Sequence, residues 1–179
     1  VDTTNVNDID ISDVDVLSND GTHNVYVDNA TNLDVDTDSN ISSASNGITA
    51  EDSGVVNVID STVNDNNNEG IDIEAANASV ESNDVNNNGV GIRTDLTDTP
   101  ATTSGLLKNK VQENADAIVV TNNTHLNITG NNLNQTSDHY IDASGLTQGE
   151  TLNATLNFFN ASGSSASPQS ADTSADVTS

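Results

Sequence analysis

A repeat of about 22–23 residues, in which a short Val- or Ile-centred segment precedes an Asn-rich stretch, most constrains the fold of this chain. The copies of the short segment are residues 24–27, 47–50, 70–73, 91–94, 117–120 and 139–142. A unit of this size cannot bury an apolar face alone, so neighbouring copies must stack on one another. The repeat therefore predicts a solenoid.

Three apolar positions recur in each repeat, always in the same order. The first comprises Val25, Ile48, Ile71, Ile92, Ile118 and, in the last copy, Tyr140 or Ile141. The second is an alternating pair, at Ile9/Ile11, Leu33/Val35, Val56/Val58, Ala78/Val80 and Leu126/Ile128. The third is a single residue, at Leu17, Ile41, Val63, Val85, Val111 and Leu133. Apolar–polar alternation is typical of strands with one buried face, so the repeat predicts three sheets running along a coil.

The segment Gly70-Ile71-Asp72-Ile73, followed by an Asn-x-Val-x-x-Asn segment at residues 83–88, shows the pattern best. Over residues 1–145 the sequence resembles the parallel β-helix repeat family, best known from the pectate-lyase-like proteins. The resemblance implies an all-β fold, a right-handed single-stranded parallel β-helix of about six coils. It implies no single function, because the family includes lyases, hydrolases, surface proteins and phage tail proteins.

The chain divides by composition into three parts. Residues 1–145 are expected to form the β-helix, and residues 146–160, which hold both phenylalanines, a C-terminal capping strand. Residues 161–179 are rich in Ser, Ala, Thr and Asp and predict a flexible tail. No N-terminal cap is visible, so we expect a preceding segment or another protomer to cover that end. The chain is expected to be a mature or excised piece of a longer protein.

Asparagines recur at two fixed places in the repeat. Asn66, Asn88 and Asn114 each follow a third-position residue, and Asn83, Asn109 and Asn131 each precede one. Stacked strands lie about 4.8 Å apart, so amides in one column can bond to those above and below. These asparagines therefore predict amide ladders rather than ligand sites.

The charge of the chain restricts its partners. Lys and Arg number 3 against 28 Asp and Glu, which gives a net charge of -25. Such a polyanion repels nucleic acid and anionic lipid, so neither is expected as a partner. The absence of cysteine excludes disulfides and thiolate metal sites. No apolar stretch approaches the roughly 18 residues of a membrane helix.

The same acidic excess is typical of proteins from very salty environments, where salt screens the repulsion between carboxylates. Outward positions after the first apolar residue place Asp28, Glu51, Glu74 and Asp95 in one column. The next column holds Tyr26, Thr49, Asp72, Arg93, Val119 and Asp142. Three interpretations of the carboxylates remain open: a solvated acidic face, a site for Ca²⁺ or another cation, or catalytic acids.

Other motifs give weaker signals. Asp34-x-Asp36-x-Asp38 resembles the start of an EF-hand loop, but Ser39 and Ser45 stand where that loop needs Gly and Glu. His23, His125 and His139 are too scattered along the coil to act together. Eight Asn-x-Ser/Thr sequons begin at Asn29, Asn40, Asn77, Asn122, Asn127, Asn134, Asn153 and Asn160, and they permit glycosylation in a secreted protein.

Three functions follow from these observations. The first is a non-catalytic module of an extracellular or cell-surface protein, which spaces other domains or binds polysaccharide through cations. The second is a polysaccharide hydrolase or lyase that uses the first-sheet acids, although only Arg93, Lys108 and Lys110 supply a base. The third is a homo-oligomer or end-to-end assembly, as in a viral fibre. The missing catalytic set favours the non-enzymatic hypothesis.

Overall fold

The structure is a computed structural model that describes residues 1–17, 21–97, 104–122, 125–134, 139–146, 151–159 and 176–178. Within these ranges the chain forms parallel strands that stack in register from one repeat to the next, and no helix occurs. The predicted all-β parallel β-helix is confirmed.

Three sheets line the coil. The first sheet contains β1 (Asp2–Thr4), β4 (His23–Asp28), the first part of β7 (Asn46–Ile59), the first part of β9 (Glu69–Glu81), β11 (Val90–Leu96), β14 (Asp116–Asn122) and β17 (Ile141–Asp142). The second contains β2 (Asp8–Ser12), β5 (Asn32–Asp36), the later parts of β7 and β9, β12 (Ser104–Leu107), β15 (His125–Thr129), β18 (Thr151–Asn153) and β20 (Asp176–Thr178). The third contains β3 (Asp15–Val16), β6 (Asn40–Ser42), β8 (Thr62–Asn64), β10 (Asp84–Asn86), β13 (Lys110–Gln112), β16 (Asn132–Asn134) and β19 (Phe158–Phe159).

The core consists of the predicted apolar columns. The first column, formed by Val25, Ile48, Ile71, Ile92 and Ile118, stacks residue on residue and is fully buried. Ile141 lies opposite Ile118 and continues that column. Tyr140, the alternative, is also buried, and its ring meets the edge of the Phe159 ring at a centroid distance of 5.2 Å. The inward column therefore extends to the last copy of the repeat.

The structure adds one pair of residues to the predicted core and corrects the prediction at another position. Ser104 and Leu106 supply the second-sheet pair that the repeat alignment lacked, and Leu106 lies between Val80 and Ile128. In the third sheet the residue opposite Ile41 is Val16, so the assignment of Leu17 to this column was wrong. Leu17 follows the end of the strand and is 52% exposed. A slip of one residue along a strand reverses the face of the side chain.

Residues with left-handed backbone stack at each of the three corners. They are Asn5, Asn29 and Asp52 at the first corner, Asp13, Thr37, Asp38, Asp60, Ser82, Lys108, Gly130 and Leu156 at the second, and Ser43, Asp65, Asn87 and Glu113 at the third. Asn and Asp tolerate this conformation better than other residues with a side chain. Part of the acidic and amide content therefore shapes the coil rather than a binding site.

Both predicted amide ladders are present inside the coil. Asn66 Nδ2 donates to Asn88 Oδ1 at 2.9 Å, and Asn88 Nδ2 donates to Asn114 Oδ1 at 3.1 Å. In the second ladder Asn83, Asn109 and Asn131 are bonded in the same way, and Asn131 Nδ2 continues to Asn157 Oδ1 at 2.9 Å. Each accepting amide oxygen also receives a backbone N–H from the adjacent rung. The ladders satisfy polar groups that the corners would otherwise leave buried and unpaired.

Replacing Asn109 with Ala is expected to destabilise the protein by about 2–4 kcal/mol, because several buried partners lose their hydrogen bonds together. Those partners are the Asn83 amide, the Asn131 amide and the Val80 carbonyl oxygen. Urea denaturation followed by circular dichroism measures the loss. Asn68→Ala is the control, because the side-chain bond that it removes, from Asn68 Nδ2 to Asn46 Oδ1, is exposed. Equal stabilities of the two variants would contradict a structural role for the ladder.

The segment expected as a cap forms a further turn of the same coil where it is described. Thr151–Asn153 pairs in parallel with β15, and Phe158–Phe159 pairs with β16. In the tail, Asp176–Thr178 forms a short strand beside β18, while residues 160–175 and 179 lie outside the described residues. Residues 98–103 lie outside the described residues as well, and Ser104 begins β12.

Candidate functional site

The outer face of the first sheet presents all five residues predicted as a ligand site. Asp28 lies opposite Glu51, and Glu74 lies opposite Asp95 on the next pair of rungs. Asp72 lies in the neighbouring column, between Thr49 and Arg93. We call Asp28, Glu51, Glu74 and Asp95 the carboxylate column. The structure brings the predicted residues together on one face, and their ligand-binding role stays a prediction.

The carboxylate column contains a β-bulge that adds one more acid. The register shifts between Ala50 and Ser53, so that Glu51 and Asp52 share the space opposite Glu74. Asp52 has φ 47°, in the left-handed region. Asp52 was not predicted from the sequence, although the spacing from Ile48 to Val56 exceeds that from Ile71 to Ala78 by one residue. That extra residue is the signal of the bulge.

Partial desolvation raises the pKa of Glu74, and the negative charges of Asp52 and Asp95 raise it further. Carboxylates stacked at the rung spacing of about 4.8 Å oppose one another's ionisation. The column therefore holds its charges under mutual repulsion, which screening by salt reduces.

Asp72 is the most perturbed carboxyl of the face. Its Oδ2 lies 3.4 Å from Arg93 Nη1, and Glu69 Oε1 lies 3.9 Å from the same nitrogen. Burial raises the pKa of Asp72 to about 6, Glu69 adds to the rise, and Arg93 opposes it. Asp72 and Arg93, which the sequence alignment places next to each other in one column, therefore form an ion pair between adjacent rungs. Glu69 was missed, because the column just before the glycine of each repeat was not aligned.

One pair of aromatic rings lies beside the carboxylate column. The Tyr26 hydroxyl donates to Glu51 Oε2 at 2.9 Å, which raises the pKa of Tyr26 to about 12. The His23 ring lies 5.0 Å from the Tyr26 ring, centroid to centroid. At the other end of the sheet, His139 Nδ1 lies 3.0 Å from Asp116 Oδ1. The two histidines therefore lie far apart along the coil and contact different neighbours.

Every basic side chain contacts a carboxylate on the preceding rung. Besides Arg93, Lys108 Nζ lies 2.7 Å from Glu81 Oε1, and Lys110 Nζ lies 2.8 Å from Asp84 Oδ2. Lys108 lies at the second corner and Lys110 in the third sheet, so neither is on the face that carries the column. Of the Lys and Arg side chains, Arg93 is therefore the one that lies on the face with the carboxylate column.

The described residues provide the column with no converging metal ligands. Three open depressions of about 330, 400 and 420 Å³ are lined by described residues, and none of the three is lined by a residue of the carboxylate column or by Asp72. The depression of about 420 Å³ lies beside the column, at His23 and Tyr26. Among the described residues no group of three or more His, Asp or Glu is placed to hold a metal ion. In the same residues no helix is long and apolar enough to span a membrane. The column is an open row of carboxylates on a sheet surface.

Comparison with known families agrees with this architecture. The family model described as a right handed beta helix region matches residues 1–159. The chain belongs to this family. The match ends at the last residue of β19, so this right-handed β-helix includes the turn formed by β18 and β19. Searches of curated proteins and of solved structures found no match.

Replacing Asp72 with Asn is expected to stabilise the β-helix at pH 7.5 by roughly 1–2 kcal/mol. The pKa of Asp72 is raised above its usual value, so the folded state binds a proton that the unfolded state releases between about pH 6 and 4. The free energy of unfolding of the wild type should therefore rise as the pH falls through this window. The variant should lack the part of this rise that comes from protonation of Asp72. Urea denaturation at pH 5 and 7.5 measures it.

Asp10→Asn, at an exposed position of β2, removes one charge from the same polyanion and is the control. A pH dependence that is equal in the Asp72→Asn variant and in the wild type would contradict the assignment.

Proposed function

We propose that this β-helix is a non-catalytic module of an extracellular surface or fibre protein, which holds other domains apart and binds polysaccharide through cations. The observation that carries the proposal is the carboxylate column itself, an open acidic row on the outer face of the first sheet. The stacked core and two internal amide ladders make the coil a rigid support. Such a support presents side chains at a fixed spacing of about 4.8 Å.

Cations supply the link between the column and a polymer. Carboxylate oxygens are the ligands that Ca²⁺ prefers, and sugar hydroxyls or uronate groups can complete its shell of 6–8 oxygens. Because the described carboxylates do not form a closed site, each ion would be shared between the protein and the polysaccharide. Binding should therefore require both partners and a divalent ion.

Glycan-array binding in molar NaCl, with and without Ca²⁺, tests this function. We expect Ca²⁺-dependent binding that falls about tenfold or more in a variant carrying Glu51→Gln, Glu74→Gln and Asp95→Asn, which corresponds to about 1.4 kcal/mol. The control carries Asp8→Asn, Asp10→Asn and Asp36→Asn, which remove the same charge from the second sheet. Absence of binding with and without Ca²⁺ would overturn the binding role, and an equal loss in the control would exclude the column.

A second candidate is a polysaccharide hydrolase, and the raised pKa of Asp72 favours it. A carboxyl with a pKa of about 6 can donate a proton near neutral pH, and Glu51 or Glu74 would be the second carboxyl group of the pair. This candidate predicts hydrolysis that increases as the pH falls towards 6. It also predicts that Asp72→Asn combined with Glu74→Gln abolishes the hydrolysis.

A further inference from the structure

The structure distinguishes between sequons that are identical in sequence. Asn29, Asn40, Asn77, Asn127 and Asn153 begin the five sequons whose three residues are all described. The sequons at Asn122, Asn134 and Asn160 include residues outside the described part of the chain. A sugar is attached to the amide nitrogen, so the exposure of that amide and of the Ser or Thr two residues later decides which sequon can be modified in the folded protein.

Asn29 lies at the first corner with both sequon side chains in solvent. Asn29 and Thr31 are exposed, whereas Ala30 between them is buried. The backbone of Asn29 is left-handed, with φ 55°, as it is at Asn5 and Asp52 of the same corner. Its amide makes one exposed bond, from Nδ2 to Asn5 Oδ1 at 2.6 Å. A glycan here would disturb one surface hydrogen bond and no core contact.

The asparagines of the other four sequons lie on strands, and each has a side-chain oxygen that is buried or hydrogen-bonded. The amide oxygens of Asn40 and Asn77 are fully buried, and Ser42 is itself only 8% exposed. Asn153 Nδ2 donates to Asn127 Oδ1 at 3.0 Å, and Asn153 Oδ1 accepts the Thr155 N–H at 3.3 Å. A transferase would have to pull these amides out of the sheet surface before it could modify them.

We propose that Asn29 is an N-glycosylation site of the folded protein, and this proposal rests on the extracellular location in the proposed function. In the reaction the Asn29 Nδ2 forms a bond to the anomeric carbon of a lipid-linked oligosaccharide. The bond between that carbon and the lipid phosphate oxygen breaks, the lipid phosphate leaves, and the amide loses one proton. The glycan would project from the corner beside Asp28 and Glu51, along the border of the carboxylate column.

Transfer in vitro tests the accessibility directly. The folded protein is incubated in its folding salt with an N-linking oligosaccharyltransferase and a lipid-linked oligosaccharide, beside synthetic peptides that contain each of the five sequons. Digestion after Asp and Glu, which are abundant, gives glycopeptides for mass spectrometry. We expect all five peptides to be modified but, of these five sites, only Asn29 in the folded protein.

Substitution at Thr31 changes the sequon without replacing Asn29, whose left-handed backbone is part of the corner. Its effect on glycan transfer can therefore be measured without altering that residue. Thr31→Ala should abolish transfer to Asn29, and Thr31→Ser should retain it. Modification of Asn40, Asn77, Asn127 or Asn153 in the folded protein to the same extent as Asn29 would overturn the proposal. So would a folded protein unmodified at Asn29 when its peptide is modified.

The location is tested separately from the modification. Native protein in the medium or on the cell surface, with a glycan on Asn29, is the expected result. Surface protein with a bare Asn29 would overturn the glycosylation site and leave the proposed function intact. Protein retained inside the cell would contradict the extracellular function, whereas transfer to the folded protein in vitro does not depend on the compartment.

Discussion

Replacing Val56 with Asp is expected to unfold the central part of the coil. Val56 is fully buried in the second sheet, stacked between Leu33 and Ala78, and nothing basic is within the core around it. An unpaired buried charge destabilises a protein by several kcal/mol, and we expect at least about 4 kcal/mol here. Since a domain has a total stability of about 5–15 kcal/mol, the variant should be largely unfolded or lose its cooperative transition.

Val55→Asp is the matched control for this result. Val55 is the preceding residue on β7, of the same type, but it points outward and is 38% exposed. The same substitution there should change the free energy of unfolding by less than about 1 kcal/mol. Urea denaturation of both variants in molar salt, followed by circular dichroism, measures the difference. Equal losses of stability would contradict the assignment of inner and outer faces.

Transfer from molar salt to dilute buffer is expected to unfold the wild-type protein. The chain has 28 Asp and Glu but only 3 Lys and Arg, and each Lys or Arg already contacts a carboxylate of the preceding rung. The Debye length is about 3 Å at 1 M ionic strength but about 10 Å at 0.1 M. Carboxylates stacked about 4.8 Å apart are therefore screened only at the higher salt concentration. The exposed ion pairs add little stability at either concentration.

Circular dichroism across a NaCl series measures this dependence. The midpoint should move to lower salt in a variant with Glu51→Gln, Asp72→Asn and Glu74→Gln, because three of the closest charges are removed. An uncharged osmolyte at equal osmolality controls for general exclusion of solutes from the protein surface. Identical spectra in molar salt and in dilute buffer would show that repulsion between carboxylates does not limit folding.

The sequence alone predicted most of the inner face. Because side chains alternate along a strand and stacked strands keep their register, aligning the repeats was sufficient to assign Ile48, Ile71 and Ile92 to one column. The same reasoning predicted both amide ladders, since a buried amide in such a column has its nearest partners one rung away.

The irregular places were not predictable in the same way. The alignment lacked the Ser104 and Leu106 pair because the repeat lengthens just before β12. It placed Leu17 inward because the strand is only two residues long and offers no alternation to fix the face. It missed Asp52 because a bulge adds a residue without changing the apolar pattern on either side.

The residues of the candidate site could be predicted from the sequence, but the pKa of Asp72 and the function of the site could not. Register alone brought Asp28, Glu51, Glu74 and Asp95 into one column. The raised pKa of Asp72 depends on how far its carboxyl is desolvated and on the charge of Glu69, which lies near Arg93. The spacing of residues in the sequence reveals neither. Cation binding and catalysis both need carboxylates, so the presence of Asp and Glu at these positions does not distinguish the two functions.

Measuring bound polysaccharide and new reducing ends in the same samples tests the central claim most directly. Each polysaccharide that binds in the presence of Ca²⁺ is incubated at pH 6 and 7.5 with the wild type and with the Asp72→Asn, Glu74→Gln variant. We expect the wild type to retain the polysaccharide and no reducing ends to appear at either pH. Reducing ends that form with the wild type and disappear with the double variant would contradict this expectation and would show that the first sheet is an active site.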